Sequence, residues 1–175
     1  SDSYAYSTTP QPLHTDNAWF RDCAEINFFA MGKQAPIGGE QLLYDADKLI
    51  EDLKQHKPDL LKNLSENAVV IKKGAGEAFY EGPIIDLGGK YPELRWNFYR
   101  TEKDNDATKK MCVDFFEFLA GSHCANSINY LHCQTGDCFI LNDLALLHGR
   151  NSFETKEDRG RILYQSMWKK NEKKR

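Results

Sequence analysis

Apolar residues recur along this chain at two spacings, and the alternation between them predicts a mostly β protein with a helical middle. Positions 22 to 31 form an apolar stretch that runs into a Pro36-Gly38-Gly39 turn, and Gln41 to Tyr44 resumes as a strand. Leu49, Ile50 and Leu53 then share one helical face, with Asp45 or Asp47 placed to cap it. Pro58 suits the first turn of a second short helix ending near Leu64. Residues 68 to 100, interrupted by Gly74, Gly76, Gly82 and Gly88-Gly89, predict short strands. Asn105 to Ala120 predicts a helix that buries Met111, Phe115, Phe118 and Leu119. From Ser127 onward the pattern returns to strands. A Gly136-Asp137 turn feeds an apolar run, read as one buried strand, that reaches His148, and Gly149 offers a bend behind it. Arg159-Gly160-Arg161 leads into a last strand through Trp168. There is no internal repeat or low-complexity segment, so residues 1–175 read as one domain.

Composition narrows the class. At 175 residues and 41% hydrophobic, the chain can bury a core without covalent staples. The formal net charge of −3 is spread unevenly, because a basic tail over about 169–175 closes an otherwise acidic body. A short terminal charge run is ordinarily a solvated end, and an acidic body argues against a nucleic-acid partner. Five cysteines, Cys23, Cys112, Cys124, Cys133 and Cys138, include no C-x-x-C pair and read as reduced thiols of a cytoplasmic protein. Cys124, Cys133 and His132 match no zinc-finger spacing. No apolar stretch is long enough to span a membrane, and no signal-peptide pattern opens the chain.

The candidate chemistry lies at the two ends. His14 and Asp16 stand two apart in a strand or strand end, so both side chains face one way while Thr15 faces the other. Far along the chain comes His148. Two imidazoles and a carboxylate on one face of a metal leave the opposite face open, the arrangement of non-haem Fe(II) sites. Each part also has a plain reading: a surface His beside a turn-capping Asp, and a core histidine satisfied by backbone. Arg159 and Arg161 offer a guanidinium fork for a carboxylate, or surface ion pairs with Glu157 and Asp158.

In order along the chain, Pro12 to Asn17, Ala35 to Asp45 with its Gly38-Gly39-Glu40 turn, Gly136 to Arg150, and Arg161 to Gln165 together resemble the Fe(II)/2-oxoglutarate dioxygenases of the taurine dioxygenase and clavaminate synthase type. The resemblance implies a double-stranded β-helix, or jelly roll, with inserted and flanking α-helices. It implies His14, Asp16 and His148 as iron ligands, Arg161 as the anchor for the distal carboxylate of 2-oxoglutarate with Arg159 as its rival, and no catalytic side chain beyond the metal ligands. Gln41 stands where the family usually has a Thr that helps hold 2-oxoglutarate. Gln165 replaces a basic residue of sulfonate-using members, which turns the expectation away from taurine. Asn17, Trp19, Arg159 and Gln165 are the candidate substrate contacts.

The implied reaction consumes O2 and 2-oxoglutarate, releases succinate and CO2, and hydroxylates or desaturates a C–H bond of a small molecule, an amino acid or a betaine. The competing expectations are a catalytically silent cupin-like metal-binding protein and a zinc hydrolase on the same ligands. Family members usually carry a substantial portion ahead of the H-x-D triplet. The chain therefore reads either as a short member or as part of a longer one, with no oligomeric state implied.

Overall fold

The structure is a computed structural model that describes residues 7–74 and 79–170. Gly76 and the tail from 171 lie outside the described residues. Among the described residues, thirteen strands and four helices follow one another. They are β1 (Gln11–His14), β2 (Ile26–Lys33), β3 (Ile37–Gly38), β4 (Gln41–Asp45), α1 (Ala46–His56), α2 (Pro58–Glu66), β5 (Val69–Lys72), β6 (Phe79–Gly82), β7 (Ile85–Asp86) and β8 (Glu93–Leu94). After them come α3 (Asp106–Ala120), α4 (Ser122–Ala125), β9 (Asn129–Leu131), β10 (Cys138–Asn142), β11 (Leu146–Arg150), β12 (Phe153–Glu154) and β13 (Ile162–Trp168).

The long strands form two sheets, one of order β1-β11-β4-β9 and one of order β10-β2-β13. Successive strands change sheet, β1 to β2 to β4 and then β9 to β10 to β11 to β13, which is the winding of a double-stranded β-helix. Every pairing within the two sheets is antiparallel. The inner faces meet where the Phe29 ring of β2 lies edge-on to the His148 ring of β11, centroids 6.0 Å apart.

The helical middle covers the outside of the β4 sheet. Asp45 caps α1 by accepting from the backbone N–H groups of Asp47 and Lys48. Leu49, Ile50 and Leu53 of α1 are buried, as are Leu60, Leu61 and Leu64 of α2. Asn105 caps α3, whose Met111, Phe115, Phe118 and Leu119 enter the core together with Cys112. Trp96, fully buried, meets Phe115 edge-on at 4.8 Å. Tyr44 of β4 donates to Asp52 of α1 at 2.6 Å, so the insert is tied to the sheet by a buried hydrogen bond as well as by packing.

Two expectations from the sequence change. The apolar run from Cys138 to His148 is two strands in different sheets, joined by a tight turn in which Ala145 N–H donates to Asn142 O at 3.0 Å. The polar pair Asn142-Asp143 breaks the run, because Asp143 N–H donates to Glu25 O at 2.8 Å and its side chain is only 1% exposed. Gly149 lies inside β11 and bends nothing; a Cβ there would sit 2.7 Å from Gln11 O, so its role is the close approach of β1. The turn α4 was also not expected. Among the described residues, no helix is long and apolar enough to cross a membrane.

Candidate metal centre

His14 is the last residue of β1 and His148 the third of β11, and the antiparallel register sets them directly opposite each other. Their rings lie 4.5 Å apart. Thr15 turns the other way, its N–H donating to Trp96 O at 2.8 Å and its hydroxyl accepting from Trp96 N–H at 3.0 Å. That pairing brings Asp16 back over the two imidazoles, with Oδ1 3.5 Å from His14 Nε2 and Oδ2 3.4 Å from His148 Nε2. One ligand atom from each of the three lies within 4.8 Å of the others, and this is the cluster of metal-binding type found among the described residues.

The unused atoms of this set are held away from its centre. His14 Nδ1 donates to Pro12 O at 2.8 Å, which leaves the Nε2 lone pair inward, where the Gln11 amide reaches it at 3.2 Å. Asp16 Oδ2 accepts from Asn27 at 3.0 Å and from Gln165 at 2.6 Å, leaving Oδ1 as the less occupied oxygen. Such surrounding contacts fix the direction of a ligand and thereby tune its affinity. Two imidazole nitrogens and a carboxylate oxygen converge here from β1, the turn that follows it and β11, with the second atoms of His14 and Asp16 already bonded, and this set fits Fe(II) with an open face.

Electrostatics favour a cation at this place. Burial works against the Asp16 carboxylate, yet hydrogen bonds from His14 and His148 and the charge of His148 outweigh it and hold the group far below the usual carboxylate range. Burial likewise opposes charge on His148, but Asp143 and Asp16 push it up to about 10. Both shifts mark a place where Asp16 and Asp143 stabilise positive charge. Burial pushes Asp143 upward.

Arg161 stands just ahead of β13, a strand of the other sheet. Its Nε donates to the Gln34 side chain at 3.2 Å and its Nη2 to Gly39 O at 3.4 Å. With its amide turned to satisfy both neighbours, Gln41 accepts from Arg161 Nη2 at 2.6 Å and donates to Gly149 O at 3.2 Å. Buried Gln41 therefore holds the guanidinium beside the residue that follows His148. Gly39, at φ +81°, makes room: a Cβ there would lie 3.0 Å from Arg161 Nε. Burial, with Arg150 nearby, lowers the guanidinium to about 10, the mark of a cation short of counter-charge.

Of the other sequence candidates, Gln165 reaches the centre through Asp16. Asn17, at φ 51°, donates to Met167 Sδ at 2.6 Å from the neighbouring turn. Trp19 packs against the core with its ring under Arg100, 5.7 Å away. Arg159 is exposed at φ 55° and makes none of the contacts of Arg161. Sequence reasoning missed Gln11, Asn27 and Asp143. Asn27 carried a signal, since it is a lone amide at an inward position of the apolar strand β2.

The family profile described as Taurine catabolism dioxygenase TauD, TfdA family matches residues 1–167. Gamma-butyrobetaine dioxygenase of Homo sapiens is 24% identical over 174 residues, which cover 93% of this chain and 45% of that protein. The chain thus spans about half the length of the curated relatives it matches. Asparagine oxygenase in complex with Fe(II), 2S,3S-3-hydroxyasparagine and succinate has a similar structure, with a TM-score of 0.73 and 15% identity over 93% of this chain and 50% of that one. The non-heme iron oxygenase OrfP in complex with Fe and alpha-ketoglutaric acid gives a TM-score of 0.65 and 15% identity over 92% of this chain and 50% of that one. At these identities the two structures speak for a shared fold.

Proposed function

The chain belongs to the TauD/TfdA dioxygenase family, and from that premise we propose that it is a non-haem Fe(II)/2-oxoglutarate-dependent oxygenase acting on a small molecule. The observation that carries the proposal is the convergence of His14, Asp16 and His148 on one centre, with Arg161 held beside it by Gln41. Iron, when bound, supplies the oxygen activation that couples decarboxylation of 2-oxoglutarate, to succinate and CO2, to hydroxylation or desaturation of a substrate C–H bond. Residues 1–175 serve as one oxygenase domain.

The protein's own residues divide the remaining tasks. His14 and His148 would present Nε2 and Asp16 Oδ1 to the ion, with His14 held from behind by the Pro12 carbonyl and Asp16 by Asn27. Arg161 offers charge-assisted hydrogen bonds to the far carboxylate of 2-oxoglutarate, and its short supply of counter-charge makes a dianionic partner favourable. Gln41 fixes the guanidinium and takes no direct part, its amide being spent on Arg161 and Gly149. Gln165, exposed and 2.6 Å from Asp16 Oδ2, borders the open face and can meet substrate there. Asn17 sits next to the ligand pair on that same side.

For the substrate we favour an amino acid or a betaine. The names of the similar proteins support this class: gamma-butyrobetaine dioxygenase, an asparagine oxygenase with hydroxyasparagine, and OrfP with 3S-hydroxy-L-Arg. A silent metal-binding protein would have no use for a half-buried arginine kept short of counter-charge beside the ligands.

Anaerobic addition of Fe(II) and 2-oxoglutarate to the apoprotein tests the proposal. A visible charge-transfer band is expected, lost in His148→Ala; failure of the band in the wild type, or its persistence in the variant, refutes the assignment. Succinate release across a panel of amino acids and betaines then identifies the substrate class.

A further inference from the structure

Two buried polar atoms at the centre of the molecule, His148 Nδ1 and Asp143 Oδ2, have no hydrogen-bond partner among the described residues. They belong to facing side chains, since His148 Nδ1 lies 3.3 Å from Asp143 Oδ1. Asp143 is 1% exposed, and a carboxylate so placed is costly unless its charge is used. Its Oδ1 also accepts the backbone N–H of Asp16 at 3.1 Å. One carboxylate at the β10–β11 turn therefore touches the distal ligand and the backbone of the carboxylate ligand, residues brought together from opposite ends of the chain.

Resting on the metal reading above, we infer that Asp143 is a positioning residue of the metal centre, binding the Nδ1–H of His148 and pinning Asp16 at once. The chemistry requires an acceptor at this place. A ligating imidazole directs its Nε2 lone pair at the ion only when Nδ1 carries the proton, and a carboxylate behind Nδ1 holds that tautomer and makes the ring a stronger donor. His14 gets the same service from the Pro12 carbonyl. The two acceptors differ in charge. With neutral imidazoles, a divalent ion is balanced by Asp16 and Asp143 together, so the buried centre is neutral before any cosubstrate arrives and the charge of 2-oxoglutarate is left for Arg161.

The test uses Co(II) as probe, titrated into wild type, His14→Ala and Asp143→Asn, with affinity and the visible d–d spectrum read together and melting of each apoprotein recorded. Asn keeps the size of Asp and an acceptor for the Asp16 N–H but loses the charge. Wild type is expected to bind, His14→Ala to lose binding, and Asp143→Asn to bind about 10- to 100-fold more weakly with an altered spectrum. Wild-type affinity and spectrum in Asp143→Asn, with or without a lower melting temperature, overturn the positioning role while leaving the triad intact. Failure of the wild type to bind, or equal binding by His14→Ala, overturns the triad and this inference with it. Should Asp143→Asn not fold, ring-nitrogen NMR of Zn(II)-loaded wild type decides: a slowly exchanging proton on His148 Nδ1 is expected, and its absence refutes the role.

Discussion

Arg161 is drawn inward by Gln34, Gly39 and Gln41, whereas Arg159, two positions earlier, turns outward at φ 55°. The sequence left the two as rivals because both precede the same strand; burial separates them. Arg161→Ala should raise the 2-oxoglutarate concentration needed for half-maximal succinate release by about 10- to 100-fold, the loss of one or two hydrogen bonds to a charged group at ~1.5–3 kcal/mol. Arg159→Ala should change it by less than about twofold, as exposed charges do, and the opposite result reassigns the anchor. Gln41 bears on the same anchor. Its amide, turned to meet Arg161 and Gly149 O, backs the guanidinium, so Gln41→Ala should weaken 2-oxoglutarate binding less than Arg161→Ala, through a looser guanidinium.

At the scale of elements, the centre is a matter of register. β1 and β11 pair so that His14 faces His148, and a slip of one residue would turn one imidazole to the other face of the sheet. Gly149 permits the two strands to approach, with Gln11 O only 2.7 Å from the place a Cβ would take. Gly149→Ala should therefore cost about 1–3 kcal/mol by overpacking and weaken metal binding at the same time; thermal melting and Co(II) titration check both. Asp45→Ala makes the contrast. It removes the cap of α1, worth ~1 kcal/mol, at a helix that carries no ligand, so melting should fall by about 2–4 °C with metal affinity unchanged. A change of affinity in this variant would mean that the helical insert shapes the centre.

Across the whole molecule, one residue ties that insert to the metal end of the sheets. Trp96 is fully buried, packs on Phe115 of α3, and exchanges two hydrogen bonds with Thr15, the residue between His14 and Asp16. Trp96→Ala should cost about 3–5 kcal/mol in stability, and in the fraction still folded metal affinity should fall because Asp16 loses its backing; unchanged affinity would show that the triplet is held by β1 alone. Amphipathic spacing, with caps at Asp45 and Asn105 and Pro58 opening α2, determined by itself where α1, α2 and α3 form, since period and end chemistry are properties of neighbouring residues. The motifs that resemble the dioxygenase family, in their order along the chain, implied the donor types too, because only a few side chains bind iron. Only the tertiary structure decided that the run from Cys138 to His148 splits between two sheets, that Gln41 meets Arg161, that Asn27 and Asp143 stand behind the ligands, and that Gln165 reaches Asp16. Those outcomes depend on which distant backbone segments lie side by side and which polar atoms burial leaves without water, and both are set by strand register across the whole chain.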